Sequence, residues 1–324
     1  MTTESATALA HQLTAGSVAA LARAITLAES SRADHAAITR ELLTEVLPAT
    51  GRSQRIGITG APGVGKSTLI DTLGVLLTGL GLRIAVLAID PSSVRTGGAI
   101  LGDQARMSGL NADPQVFLRG SASGRTTGGI GPGTRESILL CEAAGFDVVI
   151  VESVGVGQSE TAIADVVDVV IALIQPGAGD DLQGMKRGLL ELAEIVVVTK
   201  ADGADVDRAR HTAGDYRRGM RLFAPRSPQW VPRVLTCSAH TGEGCADVWA
   251  AVVEHQQCLT DAGERLQRRA EQRQAWFTAA VADGLRARFH ADPDRAALLS
   301  QLSDGVRAGQ LLPTVAALRA LTSA

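Results

Sequence analysis

The chain has 324 residues, 45% of them hydrophobic and 20% charged, enough apolar material for a sizeable core and too much for disorder over most of its length. Its 31 basic and 34 acidic residues leave a net charge of −3, and aromatics are scarce, so no global basic field and no base-stacking platform for nucleic acid is expected. The four cysteines (141, 237, 245 and 258) form no C-x-x-C pair, no apolar run reaches the roughly 18–20 residues of a membrane span, and the first residues lack the pattern of a signal peptide; the expectation is a cytoplasmic protein with no membrane partner.

Residues 5 to 50 carry apolar positions at helical spacing (SVAALARAITLAE, DHAAITRELLTEVL) and predict helices. From 55 to about 260 the texture changes to short β-rich runs between helical stretches: RIGIT (55–59), RIAVLAI (83–89), FDVVIVE (146–152), VDVVIALI (167–174), EIVVVTK (194–200) and VPRVLTCSA (231–239). Several runs are apolar without alternation, as strands covered on both faces of a parallel sheet must be. The segment 91–135, rich in Gly, Ser and Thr, reads as a mobile functional loop region. After 260 the pattern is helical again, with a stripe of Leu266, Ala270, Phe277, Val281, Leu285 and Phe289 that either packs on the chain's own domain or forms a dimer arm. The division expected is a helical segment 1–50, an α/β domain 51–260 and a helical segment 261–324.

Directly after the first strand comes Gly60-Ala61-Pro62-Gly63-Val64-Gly65-Lys66-Ser67, followed by Thr68 and a helical run. This is the G-x-x-x-x-G-K-[ST] phosphate loop in its strand-to-helix setting. Glycines let the backbone turn its N–H groups onto phosphate, the helix adds its positive end, Lys66 supplies a point charge, and Ser67 is a candidate Mg²⁺ ligand. The fold class follows: a P-loop NTPase of the α/β type, its doubly wound, mostly parallel sheet flanked by N- and C-terminal helical segments. Only three lysines occur in the chain, Lys66, Lys186 and Lys200, so each marks a place where a compact ammonium is a candidate requirement.

Thr199-Lys200-Ala201-Asp202 follows the VVV strand and is close to the N-K-x-D pattern that reads guanine, with Thr in place of Asn. A carboxylate at Asp202 can accept both guanine N–H donors, which adenine does not present. The Lys200 stem can pack along the purine. Ser238-Ala239-His240, after a later strand, is similar to the loop whose backbone meets the guanine oxygen. GTP is therefore favoured over ATP.

Asp90 and Glu152 end strands, Asp103 lies in LGDQARM, and with Ser67 they are the candidate Mg²⁺ ligands; each acid reads alternatively as a helix N-cap or a solvated loop carboxylate. Glu152-Ser153-Val154-Gly155 is similar to D-x-x-G, in which the Gly155 N–H would sense the γ-phosphate. Lys66, Glu152 and Gln158 are the candidate catalytic groups; Gln158 could orient the attacking water, or be a surface amide. The six histidines show no metal-ligand spacing, and most are expected on solvated or helix faces; Cys237 and Cys245, either side of the base loop, read as small buried hydrophobes.

Taken in order, GAPGVGKST, AIDPSS, GGAILGDQARM, CEAAGFDVVIVESVGVGQSE, PGAGDDLQGMKRG, TKADG and SAHTGEG resemble the MeaB/ArgK-type GTPases of the SIMIBI class, closely over about 50–260 and by pattern in the flanks. The resemblance implies GTP hydrolysis coupled to an adenosylcobalamin-dependent acyl-CoA mutase, typically methylmalonyl-CoA mutase, gating its cobalamin cofactor, with an adenosyltransferase as a further partner. It implies a homodimer formed through the C-terminal helices and metal or switch roles for Asp90, Asp103 and Glu152. It also implies a signalling element around Asp180, Asp181 and Lys186. Arg95, Arg106, Arg119 and Arg125 are within sequence range of the site, but none is identified as a self-supplied arginine finger, so slow turnover stimulated by a partner is expected. The competing readings are an ATP-dependent kinase or transport-associated ATPase, a nickel metallochaperone GTPase, and a module in which nucleotide only stabilises the fold.

Overall fold

The computed structural model describes residues 5–30, 32–90, 107, 109–122, 132–153, 162–177 and 187–322. Seven strands form one sheet: β1 Gln54–Gly60, β2 Ile84–Asp90, β3 Val116–Ala122, β4 Val148–Ser153, β5 Val169–Ile174, β6 Ile195–Val198 and β7 Arg233–Thr236. Every pairing is parallel and the order is β3-β2-β4-β1-β5-β6-β7. Strand β1 thus lies between β4 and β5, where the winding direction changes, and a crevice opens there at the carboxyl ends of the strands. The continuous apolar runs of β4, β5 and β6 are buried at every position, which is why they do not alternate.

Eleven helices are present among the described residues: α1 Ala6–Thr14, α2 Val18–Ala28, α3 Ala33–Val46, α4 Lys66–Gly79, α5 Pro132–Ala143, α6 Arg187–Leu192, α7 Val206–Met220, α8 Cys245–Asp261, α9 Glu264–Ala291, α10 Pro293–Arg307 and α11 Pro313–Thr322. One core joins Leu69, Leu73 and Leu77 of α4 and Val248 and Val252 of α8 with Ile56, Ile58 and Ile171 of the sheet. A second joins Ala209, Ala213 and Tyr216 of α7 with Ile174, Val196 and Val198. Leu73 is fully buried; truncation to alanine there should cost about 2–5 kcal/mol.

The first two helices start where serines cap them: Ser5 accepts from the Ala8 amide and Ser17 from the Ala20 amide. Leu13, Leu21, Ile25 and Leu42 are buried among these helices and α5. The chain divides into two compact units, Met1–Arg268 and Arg269–Ala324. Within the smaller one, Leu302, Ala316 and Ala320 pack with Phe289, Leu298 and Leu311, and Asp292 caps α10. No helix of the described residues is long and apolar enough to cross a membrane.

One expectation needs correction. The segment 91–135 is not loop throughout: β3 lies inside it, pairing with β2 from Val116 to Ala122, and α5 begins at Pro132. Strand β3 is an edge strand whose Phe117 is buried against Phe146 (ring centroids 6.1 Å apart) while Val116 and Leu118 pack against the core, so this short apolar run and a parallel ladder outweigh its polar flanks. His255, on the inward face of α8, is buried, its ring edge-on to Trp230 and its Nε2 3.1 Å from Glu194 Oε1.

Candidate nucleotide site

Strand β1 runs straight into the glycine-rich turn. At Gly60, φ is +151°, and a Cβ there would stand 2.7 Å from the Leu173 carbonyl on β5, so the backbone passes too close for any side chain. Gly65 caps α4 in a left-handed conformation (φ +102°) and offers no side-chain acceptor to the first turn. No cap side chain covers the leading N–H groups of that 14-residue helix, and an anion is what they suit. Lys66 is buried, its Nζ donating to the carbonyls of Gly60 (2.9 Å) and Ala61 (3.2 Å), so its charge is held at the loop.

The residue after it faces the neighbouring strand. Ile58 pairs with Glu152 across β1 and β4, and the Ser67 hydroxyl donates to Glu152 Oε1 at 3.2 Å. Glu152 is buried at the strand end, and beside it the Ser153 hydroxyl donates to the Thr59 hydroxyl at 2.8 Å. A hydroxyl and a carboxylate oxygen held together next to a phosphate loop are hard oxygen donors of the type Mg²⁺ takes, so this pair fits that ion. The backbone of Asp90 ends β2, two positions beyond the Ala88 that pairs with Glu152; its carboxylate lies outside the described atoms. Asp103, Gly155, Gln158, Asp180, Asp181 and Lys186 also lie outside the described residues.

The base-side residues converge from two other strands. Thr199 follows β6, is buried, and its hydroxyl lies 2.6 Å from the Val64 carbonyl of the phosphate loop and 3.1 Å from that of Ile174. Lys200 is the one non-glycine residue with positive φ (+54°) among the described residues, a conformation that costs energy and turns the chain sharply outward. The Ala201 amide then donates to the Cys237 carbonyl, joining this turn to the end of β7. Asp202 is half-buried, and its carboxylate caps no helix and makes no hydrogen bond or ion pair among the described residues.

Ser238 is buried in a closed turn, its amide donating to Glu243 and its carbonyl accepting from Gly242, while His240 is exposed. The Ala239 carbonyl accepts from the Thr72 hydroxyl of α4 at 2.7 Å. Sequence reasoning missed Thr72, which is just a polar residue on a helix until the tertiary fold brings Ala239 beside it. Arg119 is also displaced from its expected neighbourhood. It bonds Glu29 (2.6 Å) and Thr26 on α2, so the structure commits it to the N-terminal helices.

At the opposite end of the sheet the charges are structural. Arg55 and Glu142 form a buried two-pronged pair at 2.8 Å, linking β1 to α5. Glu194 lies among Arg226, His255 and Arg268 while also accepting from the Val170 amide. Burial pushes its pKa up, but the hydrogen bond from His255 and the nearby arginines outweigh that and hold it below the ordinary carboxylate range. Cys237 and Cys245 are buried, as expected of small hydrophobes. Among the described residues no group of three or more His, Cys, Asp or Glu is placed to hold a metal.

A family model described as methylmalonyl Co-A mutase-associated GTPase MeaB matches residues 21–294. The chain belongs to the MeaB family. It is a GTPase of that family by membership, and its relatives agree. The GTPase ArgK of Escherichia coli is 45% identical over 82% of this chain and 81% of its own. The mouse (Mus musculus) mitochondrial methylmalonic aciduria type A homolog is 39% identical over 94% of this chain and 76% of its own. Among solved structures, a crystal structure titled LAO/AO transport system kinase matches with a TM-score of 0.76 and 35% identity, over 97% of this chain and 96% of that one.

Proposed function

We propose that this protein binds GTP with Mg²⁺ at the carboxyl edge of its sheet, hydrolyses it slowly, and uses the cycle to gate delivery and protection of the cobalamin cofactor of an adenosylcobalamin-dependent acyl-CoA mutase. Methylmalonyl-CoA mutase is the client that the family description supports, with an adenosyltransferase as a further partner. The observation that carries the nucleotide reading is the arrangement around Gly60–Thr68: an uncapped helix end, a buried lysine and a Ser67–Glu152 oxygen pair, with an uncommitted carboxylate at Asp202 on the base side.

In this reading the loop from Gly60 to Thr68 (Ala61, Pro62, Gly63, Val64 and Gly65 between them) wraps the phosphates with its N–H groups, and Lys66 offsets their charge. Ser67, the strand-end acids Asp90 and Glu152, and Asp103 of the LGDQARM segment would hold Mg²⁺, whose charge lowers the cost of the negative charge that develops on the phosphates. Asp202 accepts the two N–H donors of guanine, the Lys200 stem covers one face of the base, and the backbone of Ser238, Ala239 and His240 meets its oxygen. Thr199 holds these parts against the phosphate loop. Gly155 senses the γ-phosphate, Gln158 orients the water, and Asp180, Asp181 and Lys186 carry the signal to the mutase.

We further assign the division into 1–50, 51–260 and 261–324, a homodimer through the last of these segments, and a cytoplasmic setting that keeps the four free cysteines reduced. The direct test is calorimetry with Mg²⁺ present, comparing GTP, GDP and ATP, followed by cobalamin transfer to methylmalonyl-CoA mutase with GTP or a non-hydrolysable analogue. Tight binding of guanine nucleotides alone, with transfer blocked by the analogue, is the expected outcome. Equal binding of ATP would return the kinase or transport ATPase reading, and transfer indifferent to the nucleotide would remove the gating role.

A further inference from the structure

The loop that borders the base is closed at its root by two thiols. Cys237 directly follows β7, and Cys245 is the first residue of α8; between them lies Ser238–Gly244. Their sulfurs are 3.4 Å apart, and both residues are buried, while His240, Thr241 and Glu243 of the intervening loop are exposed. The contact is too long for a bond but within about 1.5 Å of the disulfide length of about 2.05 Å. Cys237 is also wired into the base side: its amide donates to Val198 and its carbonyl accepts from Ala201, one residue before Asp202.

We infer that Cys237 and Cys245 form a redox-modifiable dithiol, converted reversibly to a disulfide by hydrogen peroxide or a related hydroperoxide, and that the cross-link stiffens the base loop and slows guanine-nucleotide exchange. The exchange half rests on the nucleotide reading above; the dithiol half does not. The chemistry favours Cys245 as the attacking thiol. It sits at the positive end of a 17-residue helix whose cap, Gly244, supplies no side chain, and helix N-termini favour thiolates. The hydrogen bond between the thiols acts the same way, drawing the Cys245 pKa down and pushing that of Cys237 up.

The step balances. The Cys245 thiolate attacks one peroxide oxygen, breaking the O–O bond and leaving a sulfenic acid and hydroxide, which takes up the thiol's proton to become water. The Cys237 sulfur then attacks the sulfenic sulfur, forming S–S and releasing a second water as its own proton leaves with the hydroxyl. The two electrons lost by the sulfurs reduce the peroxide. A dithiol reductant such as dithiothreitol reverses the reaction by exchange.

The test uses the full chain. After peroxide treatment, free thiols are alkylated, the protein is digested without reductant, and the peptides are mapped. Release of a fluorescent GDP analogue is timed in the reduced, oxidised and re-reduced protein. The expected result is a peptide pair joined through Cys237 and Cys245 and release slowed about threefold or more, restored by dithiothreitol, because a fastened loop opens less often. Release from Cys245→Ala should not respond to peroxide. Should that variant fold poorly, the peptide map and release rates of the unsubstituted chain decide alone. Absence of the cross-link, or a cross-linked protein that releases GDP at the reduced rate, overturns the inference. A cross-link in a chain that binds no guanine nucleotide would instead overturn the nucleotide reading.

Discussion

The Thr199 hydroxyl lies 2.6 Å from the Val64 carbonyl, joining positions 135 residues apart in the chain. It bolts the turn carrying Lys200 and Asp202 directly to the phosphate loop. Because both groups are buried, Thr199→Val should leave the Val64 carbonyl without this donor and cost about 1–3 kcal/mol of stability. Guanine-nucleotide affinity should fall about tenfold in parallel, roughly the same energy expressed at the site. Thr199→Ser should retain most of both. Thermal unfolding and calorimetry on the two variants check this; a valine variant matching the parent in both would show the bolt to be idle.

The Asp202 carboxylate makes no hydrogen bond or ion pair among the described residues, so the proposed base assignment can be tested there without disturbing a network. Asp202→Asn should weaken GTP by about 2 kcal/mol or more while favouring xanthosine triphosphate, since the amide can donate where the carboxylate only accepts. Competition binding with the two nucleotides reads the switch. Unchanged preference would mean that another group chooses the base.

For the Ser67–Glu152 pair, Glu152→Gln should lower GTP turnover about 100-fold and raise the Mg²⁺ concentration needed for half-maximal rate. Lys66→Ala should lose nucleotide binding as well as turnover, because the charge at the loop goes with it. Phosphate-release assays across a magnesium series distinguish the two variants.

The buried Glu194 makes stability depend on acid. In the unfolded chain it would titrate near the ordinary glutamate value of about 4.3. In the fold it stays ionised to lower pH, so its contribution is complete above that value and lost as pH falls through the lower folded pKa. The melting temperature should therefore drop from about pH 6 to about pH 3 more steeply in the parent than in Glu194→Gln. At neutral pH that variant should be destabilised by about 3–5 kcal/mol, because Arg226 and Arg268 lose their counter-charge. Equal pH slopes would assign the acid sensitivity to other groups.

Along α9, Phe277, Val281 and Leu285 are solvent-exposed in the single chain, Phe277 at 64% and Leu285 at 63%. Exposed apolar residues at helical spacing are the surface a second copy would cover. A Phe277→Glu, Leu285→Glu double variant should run as a monomer in size exclusion with light scattering, while the parent runs as a dimer. A monomeric parent would remove the dimer from the proposal.

What the sequence determined by itself is whatever short-range spacing encodes. Gly60 to Thr68 needs only a strand before it and a helix after it to make a phosphate loop, and that turn is local. Continuous apolar runs such as VVIALI announce strands covered on both faces, and most of the sheet was legible from them. Strand β3 was not, because a three-residue apolar run, Val116 to Leu118, between polar flanks becomes a strand only when the edge of β2 is there to pair with. Tertiary structure alone decided that Thr199 fastens to Val64, that Thr72 holds Ala239, that Arg119 turns to Glu29, and that the Cys237 and Cys245 thiols meet. Each of these depends on which atoms become neighbours once water is excluded, and residue type does not specify a side chain's neighbour.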